Sequence, residues 1–168
     1  MQEKPGKLIP ALAGGAFIAF FSRTPLLNLG NCLCCLWVVA GGFLAAWMFR
    51  RSLPSGDNLT ASEGALTGFL AGAFGALFGS FLHYFFALIG LDFSTAMLDE
   101  MLNGMQDMPE ELAESMEAIR SMGAFHPAMV LLGLVSSFIV NSIFATSGGL
   151  IAATILKKQP APSGRRKR

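Results

Sequence analysis

Three cysteines stand together as Cys32-Leu33-Cys34-Cys35, and the chain has no others. Cys32 and Cys35 have Cys-x-x-Cys spacing, at which two thiolates exchange disulfides or bind a soft metal such as zinc. A closed zinc site needs four ligands, and beyond the cysteines the chain offers only His83 and His126. The weightier reading is that cysteine here is a small apolar packing residue, with thiol-redox or metal binding as the alternative. His83 follows Gly79 by four residues, so it falls on the same helical face as a run of glycines. Asn141, with Ser136, Ser137, Ser142, Thr146 and Ser147, would line a polar path with His83 or hydrogen-bond across helices, His83 to Asn141 included. No carboxylate, lysine or arginine lies within residues 64–91 or 128–156, so a proton-coupled transporter would lack its ionisable relay. Phe93, Met97, Met101, Met105, Met108, Leu112, Met116 and Ile119 recur at steps of three and four. Their thioethers would suit Cu(I), but methionine stripes more often form adaptable apolar surfaces for a protein partner.

The elements that must carry these residues are long and apolar. Residues 64–91 hold no charge and exceed the roughly 20 apolar residues that cross a bilayer core. Gly64, Gly68, Gly72, Gly75 and Gly79 share one face of a helix there, the kind of surface that lets a second helix approach closely. Residues 128–156 are also uncharged, with Ser137, Asn141, Ala145, Gly149 and Ala153 on one face, and the two small faces are expected to meet. Two shorter apolar stretches, about 8–27 and 32–49, complete four predicted spans. The first is expected to be a retained helix rather than a cleaved signal peptide, because Ser22-Arg23-Thr24-Pro25 is a poor cleavage site. Asn58, Thr60 or Ser62 would cap the third helix. Residues 92–127 form an amphipathic acidic segment outside the membrane, and residues 159–168 a disordered basic tail.

Of the 168 residues, 53% are hydrophobic and 14% are charged, against about 25% charged in soluble domains. The net charge of +1 conceals an asymmetry. Eight acidic residues and one basic residue lie in 92–127, and six basic residues and no acidic ones from Lys157 onward. Loop Lys and Arg counts run two, one, two, one and six along the chain, which puts both termini of a four-span protein in the cytoplasm. The basic tail, ending Arg165-Arg166-Lys167-Arg168, serves orientation and anionic lipid rather than nucleic acid. No phosphate loop, Ser-His-Asp set or HExxH motif is present, so neither an enzyme nor a cofactor is expected.

The run from Pro25 to Trp37, with its Asn31-Cys32-Leu33-Cys34-Cys35-Leu36-Trp37 stretch, then Gly41-Gly42, Ala45-Ala46 and a glycine-rich span opening near Gly64, resembles small uncharacterised prokaryotic multi-spanning membrane proteins. The resemblance covers about residues 8–90 and implies a membrane fold without a known activity. The sequence therefore predicts an all-α integral membrane protein, a four-helix transmembrane bundle with an extramembrane amphipathic segment between spans three and four. Its expected role is a non-enzymatic multi-pass scaffold or accessory protein in the cell membrane. Its expected partners are the bilayer, a second copy held through glycine faces, and a protein at residues 92–122. A small transporter using Asn141 and His83 and a thiol or metal protein using Cys32, Cys34 and Cys35 are the alternatives.

Overall fold

The computed structural model describes residues 5–23, 35–54, 57–89, 114–115 and 125–156. Among them the chain forms four long helices and no strand: α1 (Leu8–Arg23), α2 (Leu36–Ser52), α3 (Ala61–Leu88) and α4 (Pro127–Ile155). The α3 and α4 helices, of 28 and 29 residues, are long and apolar enough to cross a membrane. At ~1.5 Å per residue each exceeds 40 Å, against a hydrocarbon core of about 30 Å. The α1 and α2 helices have 16 and 17 residues, short of the roughly 20 that span unaided.

Local chemistry sets the helix ends. At the start of α3 the Thr60 hydroxyl accepts from the Glu63 backbone N–H at 3.2 Å, while the Glu63 carboxylate accepts from the Thr60 N–H at 3.1 Å. This reciprocal box satisfies two N–H groups that a helix start leaves unpaired, so α3 begins at Ala61 rather than at Gly64. The α2 helix begins at Leu36, not at Cys32. Cys35 precedes it in the left-handed region (φ 55°), and the Cys35 carbonyl already accepts from the N–H groups of Val38 and Val39 at 2.9 and 3.0 Å. Pro54 ends α2 by forcing Leu53 into an extended conformation. Pro127 opens α4 rather than closing the preceding segment, as its fixed φ and missing N–H favour at a first helical position. Of the predicted amphipathic segment, only Glu114, Ser115 and the residues from Phe125 onward are described; the methionine stripe, the tail and residues 24–34 lie outside the described residues.

The helices alternate in direction. Gly64, Gly68 and Gly72 of α3 lie against Gly149, Ala145 and Asn141 of α4, an antiparallel register. Gly14 and Ile18 of α1 meet Ala71 and Gly75, so α1 runs parallel to α3. Val38 clusters with Ala145, and Phe49 and Leu53 with Ala152 and Ala153, so α2 runs parallel to α4. Around the bundle α1 touches α2 and α3, and α4 touches the same two from the opposite corner. One end thus gathers the start of α1, the end of α2, the start of α3 and the end of α4. At the other end α3 and α4 continue past their shorter neighbours.

Candidate functional site

The contacts between helices are made mostly of small residues, with Ile18, Val38, Phe49 and Leu59 buried among them. Ala11, Ala45, Ala71, Ala145, Ala152 and Ala153 are fully buried, while Phe81, Leu131, Leu132, Ile143 and Leu88 are 59–73% exposed. A water-soluble bundle buries its large apolar side chains, because removing them from water is what stabilises it. This one buries a few of them, such as Phe49, Ile18 and Leu59, but leaves many more exposed and draws its backbones together through alanine and glycine.

Six glycines in three adjacent pairs build that contact. A methyl group on Gly14 would stand 2.6 Å from the Gly41 carbonyl oxygen on α2, whereas one on Gly15 would stand 2.6 Å from Phe74 Cβ on α3. Gly41 faces Ile18 and Gly14 of α1, and Gly42 faces the Ala145 backbone of α4. Gly148 faces the Val39 and Phe43 backbone of α2, and Gly149 faces the Gly64 backbone of α3. Consecutive helical residues point about 100° apart, close to the right angle at the corner of a square bundle. Each pair therefore serves both neighbours of its helix. In α3 the pair is Ala71-Gly72, with Ala71 toward Gly14 of α1 and Gly72 toward Asn141 of α4. Gly14-Gly15 and Gly41-Gly42 are legible in the sequence as adjacent small residues, but not their division between two partners. The paired spacing was the signal that would have found it.

The candidate packing residues divide accordingly. Gly64, Gly68 and Gly72 meet Ala145, Gly149, Ala153 and the Asn141 backbone on α4. Gly75 does not continue that ladder: it turns to Ile18 of α1, where a methyl group would stand 2.8 Å from Ile18 Cγ2. Gly79 is buried on α3, and Ser137 is half-buried on α4. Gly64, Gly68, Gly72 and Gly75 are thus covered by α4 and α1 of the same chain.

The polar candidates are not brought together. Asn141 lies opposite Gly72, and His83 is eleven positions further along α3. That separates them by about 16 Å along the axis, too far for the expected hydrogen bond. His83 packs edge-on against Tyr84, whose ring lies 6.0 Å from that of Phe125. Thr67, Thr146, Ser147 and Thr154 each donate to a carbonyl three or four residues back in their own helix, at 2.6–3.1 Å. They are satisfied without a path, as hydroxyls in helices commonly are. Ser142 Oγ is the exception, buried and without a partner among the described residues.

Of the cysteine cluster only Cys35 is described; it is half-buried beside the group formed by Ile18, Val38 and Ala145. Among the described residues no three His, Cys, Asp or Glu side chains gather as a metal ion would require. Where α3 and α4 diverge, Ala73, Leu77, Leu134, Val135 and Phe138 line an open apolar groove of about 400 Å³.

Fold and contacts define an all-helical protein with two helices able to cross a membrane and a glycine-mediated core. Residues 10–158 match the family described as "Protein of unknown function (DUF4199)", and the chain belongs to that family. The match takes in all four helices and agrees with the resemblance in carrying no assigned activity. No curated protein and no solved structure matches the chain.

Proposed function

We propose that this protein is a four-span integral membrane protein of the cell membrane, with both termini in the cytoplasm, acting as a non-enzymatic scaffold or accessory subunit. The observation that carries the reading is the exposed apolar surface: most of the large apolar side chains of α3 and α4 face outward, while the helix contacts rest mainly on alanine and glycine, with Ile18, Phe49 and Leu59 the main large exceptions. Lipid tails are as apolar as leucine, so side-chain burial drives nothing there, and close backbone contact holds helices together instead. Large apolar groups then have no reason to turn inward. The short α1 and α2 fit the same solvent because Lys7, Arg50 and Arg51 reach from their ends toward the headgroups, and a bilayer thins around short helices at modest cost. Those three residues share one end of the bundle, which supports a cytoplasmic position for it. A scaffold reading is favoured over transport because His83 and Asn141 lie far apart and the described hydroxyls are largely committed to their own helices. Partners would meet the outer surfaces, residues 92–122 or, for a second copy, the glycines that the chain's own helices do not cover.

The test has three readouts. The full chain should stay in the membrane pellet after alkaline extraction, and a tag after residue 168 should be cleaved by added protease in inside-out vesicles but not in intact cells. Sealed proteoliposomes should leak ions and small solutes no faster than empty vesicles. A flux abolished by Asn141→Ala would replace the scaffold by a transporter, and extraction into the supernatant would remove the membrane reading altogether.

A further inference from the structure

We propose that the rim formed by Lys7, Arg50 and Arg51 is a binding surface for the headgroups of anionic phospholipids; this rests on the membrane reading above. Lys7 immediately precedes α1, and Arg50 and Arg51 lie in the last turn of α2, so the three cations meet at one end of an antiparallel pair. Two of them are seated on aromatic rings. The Lys7 ammonium lies 5.4 Å from the centre of the Phe49 ring, and the Arg51 guanidinium 3.8 Å from that of Trp47. A guanidinium that stands over a ring can still turn N–H groups toward two oxygens of a phosphate.

Among the described residues these charges are only partly neutralised. None of the three forms an ion pair among the described residues. Glu63, the acid at the neighbouring start of α3, is buried and committed to the Thr60 box. The other described acid at this end, Asp57, sits in the exposed loop between α2 and α3. Three cations against Asp57 and Glu63 leave this end net positive among the described residues, which suits an anionic partner.

What lies next to the rim decides which one. Leu8 and Ile9, directly after Lys7, are 56% and 75% exposed. A nucleic acid or an acidic peptide would gain nothing from that apolar step. A phospholipid fits it, with its phosphate at the rim and its acyl chains along the outward leucines and isoleucines. The cytoplasmic leaflet, where the loop charges place this end, carries the anionic lipids, and each basic residue near such a surface is worth roughly fivefold in relative affinity.

Trp47 reports on the site directly. The chain has two tryptophans, so the Trp37→Phe variant leaves Trp47 as sole emitter. It would be reconstituted in phosphatidylcholine vesicles containing a low mole fraction of either brominated phosphatidylglycerol or brominated phosphatidylcholine. The expected result is several-fold stronger quenching by the anionic lipid, falling to parity when Lys7→Gln, Arg50→Gln and Arg51→Gln are combined, and largely kept in Arg51→Lys. Circular dichroism checks the helices; should the triple variant unfold, Arg51→Gln alone should bring the preference part of the way to parity. Equal quenching by both lipids in the parent chain overturns the proposal. So does a preference that survives the triple change, since the basic tail would then be its source. Loss of preference on adding inorganic phosphate, but not chloride of equal ionic strength, would make the rim a general phosphate site and overturn it too. Quenching by neither lipid would mean that Trp47 is not at a bilayer, and would take the membrane reading with it.

Discussion

At the scale of single residues, what matters is the space between backbones. Gly72 has the Asn141 carbonyl where a side chain would begin, and a methyl group there would stand 2.5 Å from that oxygen. The obstacle is backbone, so no rotamer change relieves it and α3 must move away from α4. Gly72→Ala is expected to destabilise by about 2–3 kcal/mol, as overpacking does, and to lower the melting temperature in detergent by roughly 5–10 °C. Gly133 is the internal control. It is exposed on α4, and a methyl group there meets only the Tyr84 hydroxyl at 3.9 Å. Gly133→Ala should leave the melt unchanged or raise it by the 0.5–1 kcal/mol that alanine gains over glycine in a helix, by the usual rough scale. If both variants melt alike, the close contact at Gly72 does not hold the bundle. The sequence shows such residues as a class but not their assignments. Steps of four and three put Gly64 through Gly79 on one face, yet Gly75 belongs to α1, because its partner Ile18 is a large residue that no small-residue pattern marks. The left-handed Cys35 is equally silent, since no turn motif requires it.

At the scale of the element, most of what the structure shows could be read in advance. All four helices follow from charge-free apolar runs bounded by basic residues, prolines and a Thr-x-x-Glu box. The ends moved by a few residues where a cap outweighed hydropathy. The α3 start is the clearest case, because Thr60 and Glu63 extend the helix over Ala61 and Ser62, which are exposed and polar or small. Thr60→Ala should therefore cost about 1 kcal/mol, the usual value of an N-cap. Glu63→Gln should cost less, since glutamine also closes a capping box. Amide hydrogen exchange in the first turn of α3 would separate these effects from a change in the whole bundle. Faster exchange confined to that turn is expected, and unchanged exchange in Thr60→Ala would show that the box does not hold it. What could not be read is the register in which helices pair. The register of α3 against α4 depends on which glycine lies opposite which carbonyl, and that register separates His83 from Asn141. The glycine pairs specify pairing more fully than any stripe, since two adjacent small residues aim one helix at two neighbours.

At the scale of the whole molecule, the question is which solvent this surface is built for, and a charge placed on it gives the answer. Ile143 lies near the middle of α4 and is 59% exposed, while Ile155, the last residue of the helix, is 66% exposed. In water the two sites are equivalent, and a lysine at either would change stability by no more than about 0.5 kcal/mol. In a bilayer they are not. A lysine at the centre of a span costs roughly 2.5–3.5 kcal/mol on the insertion scale, while one at the end reaches the headgroups with its charged tip. Ile143→Lys should therefore sharply reduce the amount of chain that resists alkaline extraction, and Ile155→Lys should leave it near the parent level. Immunoblots of pellet and supernatant after extraction measure both. Equal recovery of the two variants would mean that depth along α4 carries no energetic meaning, and the outward leucines and isoleucines would then need another partner than lipid. A loss confined to Ile143 would fix the centre of the bilayer on α4. The level of Asn141 and the Gly72 contact would then be the midplane, where a close backbone crossing is worth most because nothing else drives the helices together.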